Sequence, residues 1–248
     1  MGTPFSIDLD SRNYEMIIDS VQVKKFWDAQ AKKADQLKLE GIANLEEDAQ
    51  LLEMKVSLEQ TKIMSMINLA PASSYVLDLG AGTGQWALRF ANLASHVVAV
   101  EYSSGMLAHA IEAARVANVE NISFEHCRAQ DYDTKQLFDL IWISGLLIYL
   151  EDDECDTLIK NCSAMMVKGG QLILRDGTGT KRRHEIRNQY SEALNTSYSA
   201  TYRTAEVYLS LFERHGFRVV EHSDMFPEGS QLNKWDETRL RVYQFSKS

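Results

Sequence analysis

Cysteine, proline and positive charge are all scarce in this chain of 248 residues: three cysteines, three prolines, and 26 Lys plus Arg against 35 Asp plus Glu. The odd set Cys127, Cys155 and Cys162 lacks paired metal-ligand spacing, so no zinc site or disulfide framework is expected. The thiols read instead as small buried hydrophobes in a reducing compartment. The scarcity of proline argues against disordered linkers. A formal charge of −9 repels phosphate backbones and anionic lipid, which disfavours nucleic acid and membrane as partners. No stretch approaches the roughly 18 uninterrupted apolar residues of a membrane helix. Met1 to Asp10 carries acids and no apolar run, so no secretory signal is expected there. These absences describe a cytoplasmic globular protein, long enough to bury a full core.

What is present divides in two. Residues 13–68 hold no proline, one glycine (Gly41) and much Ala, Leu, Lys, Glu and Gln, a helix-forming composition. Phe26, Trp27, Leu37 and Leu39 mark one apolar set and Leu51 to Ile67 another. Gly41 and the stretch from Asn44 to Asp48 mark the break between two helices. After Pro71, short β-branched runs at 75–79, 97–101, 122–126, 138–143 and 171–175 alternate with amphipathic patterns near 84–94, 103–117 and 153–167. That alternation predicts a parallel sheet covered on both faces. A basic loop and helical piece at about 177–195 precede another helix near 204–214. Runs at 218–226 and 239–245, joined by a short connection, predict an antiparallel hairpin. The expected fold is α/β: a doubly wound, mostly parallel seven-stranded sheet with an antiparallel C-terminal hairpin strand. The expected domains are an N-terminal helical lid over 1–69 and a main domain over 70–248, with an inserted helical lid at about 177–203.

The sharpest segment is Tyr75-Val76-Leu77-Asp78-Leu79-Gly80-Ala81-Gly82-Thr83-Gly84-Gln85-Trp86, a hydrophobic strand entering a glycine-rich turn that opens a helix. Glycines let the backbone approach a ligand, and the helix start offers free N–H groups. Read from Gly82, the loop also passes the dinucleotide fingerprint at Ala87, so the loop alone leaves both cofactor classes open. Its surroundings narrow them. Asp78 precedes the first glycine, Glu101 ends the second strand, Ala129-Gln130-Asp131-Tyr132 follows the third, and Val167-Lys168-Gly169-Gly170 turns into the fifth.

Together these residues resemble the class I S-adenosylmethionine-dependent methyltransferases over about 72–175. The resemblance implies S-adenosyl-L-methionine as cofactor. Asp78 with Gly80, Gly82 and Gly84 would hold its methionine part, Glu101 the ribose hydroxyls, and Asp131 the adenine amine. Tyr102 and Gln130 would border the adenine, backbone near Ser144 would contact the cofactor after the fourth strand, and Ala81, Trp86 and Met106 would be further cofactor-binding residues. The chemistry agrees: a carboxylate accepts from vicinal hydroxyls, and a cationic sulfonium suits an acidic, aromatic mouth.

The acceptor is less legible. Residues 175–187 place five cations, two acids and His184 together, at the sheet edge where ligands bind. They read either as a seat for an anionic group or as a solvated loop. Asp176, Tyr149 and His184 are the candidate catalytic residues; His184 reads equally as a surface or helix-start histidine. Trp27, Tyr149, Arg175, Tyr190, Tyr202 and Arg203 are the candidate substrate residues, with Tyr14 and Tyr198 as further aromatics. Asp236, Glu237 and Arg239 read as surface pairing. No metal is expected.

The expected function is methyl transfer to an oxygen or nitrogen of a small-molecule acceptor. The alternatives are a methyltransferase acting on a protein terminus or a carrier-bound substrate, an NAD(P)-dependent oxidoreductase, and a non-catalytic cofactor-binding module.

Overall fold

A computed structural model of the chain describes residues 18–33, 48–191 and 196–248, and the side chains of 191–198 are excluded from that description. Tyr14, Leu37, Leu39, Gly41 and Asn44 lie outside the described residues, as does the side chain of Tyr198. Two helices come first. α1 (Ser20–Ala31) starts at Asp19, whose carboxylate accepts the Val21 N–H; α2 (Ala49–Met66) starts at Asp48, which accepts from Gln50 and Leu51. In each case a short acid satisfies N–H groups that the first helical turn leaves without partners.

The alternating part then follows: β1 (Tyr75–Leu79), α3 (Gln85–Ala91), β2 (His96–Val100), α4 (Ser104–Val116), β3 (Ile122–Glu125), β4 (Phe138–Ser144), α5 (Asp152–Ala164) and β5 (Met166–Gly179). After an insertion come α6 (Ala205–Arg214), β8 (Phe217–Asp224) and β9 (Thr238–Lys247). The seven strands lie in the order β3-β2-β1-β4-β5-β9-β8. The first five are mutually parallel, and β9 runs antiparallel between β5 and β8.

Successive residues of the central strands enter opposite cores, as the twofold period of a strand demands. Leu77, Leu79, Val98, Ile141, Ile143, Leu172 and Leu174 pack on the side of α5 and α6. Val76, Val97, Ala99, Leu140, Trp142 and Ile173 pack on the side of α3, with Ile63 of α2 and Phe226. Cys155 and Cys162 are fully buried, and burial pushes both thiols up to about 12, out of reach of thiolate chemistry at neutral pH.

The fold expected from sequence is the one observed, except in the insertion. There β5 continues to Gly179, and β6 (His184–Ser191) pairs antiparallel with β7 (Thr196–Tyr202) as a separate two-stranded sheet instead of a helix. The Thr and Tyr content of 196–202 favours strand, and the main chain of the ribbon is tied to the sheet where the Gly179 N–H donates to the Arg203 carbonyl at 2.9 Å. Charged residues at 181–187 obscured that preference. No described helix is long and apolar enough to cross a membrane.

Arg203 locks the ribbon in place. Its guanidinium is 1% exposed and donates to Asp152 Oδ1 and to the carbonyls of Leu147 and Leu150, each at 2.7 Å. Those carbonyls belong to the turn after β4, so one side chain fastens the insertion to the carboxyl end of the sheet. Truncating it would take the charged donor from both carbonyls, leaving the Leu147 carbonyl with the Leu150 N–H at 3.2 Å and both with the weak Cys155 thiol donor at 3.7 and 3.9 Å. Arg203→Ala is expected to lower unfolding stability by about 2–4 kcal/mol, measured by urea denaturation.

Candidate functional site

The carboxyl ends of β1, β2, β4 and β5 open into one cavity of about 460 Å³, the place where open α/β sheets take ligands. The glycine turn forms its floor. Gly82 has φ +55, and a Cβ built on it would meet nothing within 4 Å. Its N–H donates to Glu101 Oε2 at 2.8 Å, while Glu101 Oε1 accepts the Ser103 N–H at 2.6 Å. Gly84 does something different. It has φ +75, and a Cβ there would come within 2.8 Å of Ala110 Cβ. Its smallness seats the start of α3 against α4, and it does not line the cavity.

Two acids are buried side by side here. Asp78 is 1% exposed, and its Oδ2 has no hydrogen-bond partner among the described residues. Burial, together with the neighbouring Glu101 charge, pushes the Asp78 carboxyl up to about 8. Burial also raises Glu101, against the pull of the N–H groups that it accepts. The Ala87 N–H acts against that rise, but a buried carboxylate with one oxygen unpartnered is unfavourable unless a cation or donor meets it. A ligand bearing ammonium, sulfonium and vicinal hydroxyls matches that need. The residues present therefore fit S-adenosylmethionine: Asp78 and Glu101 would be its polar partners, and Tyr102, Met106 and Gln130 border the same cavity.

Ala81, Trp86 and Ser144 also border the cavity. Trp86 packs against Trp142 at 4.7 Å between ring centroids, closing the floor under α3. Asp131 does not reach the cavity. The short turn Ala129–Asp131 directs Gln130 inward and leaves the Asp131 side chain 56% exposed, 2.8 Å from Arg128 Nε.

Tyr149, Arg175, Asp176, Tyr202 and Trp27 line the same cavity. Trp27 of α1 meets Tyr149 edge-on at 5.6 Å. Arg175 is held by Glu59 of α2 at 2.5 Å and donates to Ser144 Oγ at 3.1 Å, so a buried ion pair joins α2 to the end of β5. Asp176 is fully buried; its Oδ2 accepts the Leu147 N–H at 2.7 Å and its Oδ1 the Gly177 N–H at 2.8 Å. Burial outweighs those bonds and pushes its carboxyl up to about 6. α1 is anchored by Asp28, which pairs with Lys24 at 2.7 Å and accepts from Ser103 Oγ at 2.6 Å.

Three expected site residues stand elsewhere. His184 lies on β6 beside Tyr202, outside the cavity. Tyr190 is 61% exposed on the ribbon, and Arg203 uses its guanidinium in the lock described above. Of the basic run, Arg175 alone faces the cavity, while Arg183 pairs with Asp152 and Glu185. Sequence reasoning also missed a set that the structure brings in: Lys55, Val56, Glu59 and Gln60 on α2, Arg89 on α3, Arg128, and Lys234 with Arg239 from the last loop and strand. The α2 residues carried a signal, because their spacing continues the helical face of buried Ile63. Arg239 borders the cavity and donates to the main-chain carbonyls of Trp235 and Thr238, in place of the expected pairing with Asp236 and Glu237.

Residues 76–170 match the family model described as a methyltransferase domain. Over 224 residues the chain is 22% identical to phosphoethanolamine N-methyltransferase 1 of Caenorhabditis elegans, an alignment covering 90% of this chain and 45% of that protein. It is 30% identical over 112 residues to tRNA 5-carboxymethoxyuridine methyltransferase of Escherichia coli strain K12, covering 44% of this chain and 42% of that one. A solved structure of Haemonchus contortus phosphoethanolamine N-methyltransferase 1, with phosphoethanolamine and S-adenosylhomocysteine, superposes with a TM-score of 0.68 at 20% identity. It covers 89% of this chain and 48% of that one. The chain thus matches less than half the length of each of these relatives.

Asp78 allows a direct check of the buried acids. Its raised pKa means that the folded protein holds a proton which the unfolded chain has released above about pH 4. Stability of the ligand-free protein therefore falls as pH rises from about 4 to about 8. Asp78→Asn, which cannot ionise, is expected to melt about 2–4 °C higher than wild type at pH 8 and equally at pH 4. The same substitution is expected to weaken S-adenosylhomocysteine binding at least about fivefold, the loss of one buried hydrogen bond. Thermal melts across pH and calorimetric titration read the two effects.

Proposed function

We propose that this chain, whose residues 76–170 match a methyltransferase domain, is a class I S-adenosylmethionine-dependent methyltransferase that moves a methyl group to an oxygen or nitrogen of a small acceptor carrying a negative group. The observation that carries this reading is the lining of the cavity: Lys55, Arg89, Lys234 and Arg239, from four separate segments, border the same cavity as the glycine turn and Asp176, in a protein of net charge −9. Cations bordering a cavity suit a phosphate or carboxylate on a compact molecule. Relatives named for phosphoethanolamine, a small phosphorylated amine, are consistent with that class.

When bound, S-adenosylmethionine supplies a methyl group on cationic sulphur, which leaves as a neutral thioether as the acceptor's lone pair takes the methyl. The protein's share is alignment and exclusion of water. α1 covers the cavity with Trp27 against Tyr149, and α2 covers it through the Glu59–Arg175 pair. Domain roles follow: α1, α2 and the β6–β7 ribbon act as covers over a cofactor-binding domain. Asp176 is the group placed to accept the proton that the acceptor releases. The N–H groups of Leu147 and Gly177 fix its carboxylate, and a carboxyl raised to about 6 is both ionised and basic at neutral pH.

A screen with labelled methyl donor over matched acceptors, with and without a phosphate or carboxylate, tests the substrate class. Turnover confined to the anionic member of each pair is expected; equal turnover of the uncharged member would refute it. Asp176→Asn is expected to reduce kcat about 100-fold with S-adenosylhomocysteine affinity unchanged. In wild type, kcat should rise with pH through about 6, because the base must be ionised. Arg239→Gln is expected to raise the acceptor KM about tenfold while kcat holds.

A further inference from the structure

A carboxylate outside the cavity sets the hydrogen-bonding face of one of its walls. Gln130 is nearly buried and borders the cavity, with its backbone carbonyl tied to Asn161 Nδ2 of α5 at 3.1 Å. Its side-chain Nε2 donates to Glu154 Oε1 at 3.0 Å. Glu154 is itself held from two sides: Oε2 accepts the Glu151 N–H at 3.1 Å, and Arg128 Nη1 lies 3.5 Å from Oε1. An ionised carboxylate has acceptor sites alone. The opposite amide rotamer of Gln130 would set oxygen against oxygen, so the network admits one orientation. Gln130 Oε1 then engages no described residue and is the end of the amide left for the cavity.

We infer that Glu154 is a positioning residue: it orients the Gln130 amide so that the cavity presents an acceptor to the exocyclic amine of adenine and rejects a 6-oxo purine. Adenine carries a donor at that position, whereas hypoxanthine carries an oxygen that would face Gln130 Oε1. Asp131 cannot share the task, because its carboxylate is turned outward onto Arg128. That Arg128–Asp131 pair holds the guanidinium whose remaining nitrogen meets Glu154, so the two acids and the arginine brace a single amide. The inference rests on the S-adenosyl cofactor and is independent of the methyl acceptor.

The experiment is calorimetric titration of the ligand-free protein with S-adenosylhomocysteine and with S-inosylhomocysteine. Wild type is expected to prefer the former at least about tenfold, as a site with one oriented buried polar partner does. Glu154→Gln frees the Gln130 amide to rotate, since a carboxamide both donates and accepts. It keeps the start of α5 intact, because Gln serves in a capping box as Glu does. The preference should then fall to within about twofold, approaching that of Gln130→Leu, which lacks the amide. Thermal melts of each variant monitor the fold. A Glu154→Gln protein with the wild-type preference, whether its affinities drop or not, would overturn the inference and leave Glu154 as a helix cap. Wild type binding both ligands equally would overturn it as well. Wild type binding neither would refute the cofactor site itself, a failure separate from that of the acceptor class.

Discussion

Glu101 bears on almost every part of this site. Its carboxylate stands at the end of β2 and takes the N–H of Gly82 in the turn after β1 and the N–H of Ser103 at the start of α4. One side chain thereby fastens two neighbouring strand-to-helix turns and holds the glycine loop open beneath the cavity. Ser103 passes the constraint on. Its hydroxyl caps α4 through the Met106 N–H and donates to Asp28 of α1. The position of the first helix over the cavity thus depends on a carboxylate at the sheet. The arrangement buries Glu101, compensated by the N–H groups it accepts, beside Asp78, which burial and the Glu101 charge raise. Local strain of this electrostatic kind belongs at a ligand site, where the ligand relieves it.

The sheet was legible in the sequence because each element declared its own period. Runs such as Tyr75–Leu79 are short, β-branched and bounded by turn residues, and the structure ends β1 at the residue where the glycines begin. The glycine turn was legible for the same local reason: the positive φ of Gly80, Gly82 and Gly84 demands that residue type. Asp78 and Glu101 could be found by counting from those glycines, since strand length fixes where a strand's last residue points.

What was illegible depends on direction as well as presence. Gln130 and Asp131 are adjacent and both polar, and the single turn that sends one inward and the other outward is set by Arg128 and Glu154, which lie far apart in sequence. The insertion failed for a related cause. His184 was read as a candidate catalytic residue and Tyr190 and Arg203 as candidate substrate residues, yet the structure separates all three from the cavity: His184 and Tyr190 ride on a ribbon away from it, and Arg203 turns into the protein. Pairing partners in a ribbon are chosen by contacts that no local period encodes. Arg203 has the composition of a ligand-binding residue and the environment of a structural one.

The set of cations bordering the cavity is the most hidden of these features, because no segment of sequence contains it. Lys55, Arg89, Lys234 and Arg239 come from α2, α3, the last loop and β9, and each looks like an ordinary surface cation in its own neighbourhood. Folding sets them against the acidic background of the whole chain, and the two act over different distances. At physiological salt the Debye length is about 8 Å, so the net charge shapes the approach of a large polyanion, which must lie along the surface. Under the proposed function, a small anion would enter the cavity singly and meet the local cations within screening distance. The net charge would then oppose a phosphate backbone while the local cations favoured one phosphate or carboxylate. That division of length scales is why the proposed acceptor is compact, and it rests on where the fold puts four side chains rather than on how many cations the chain has.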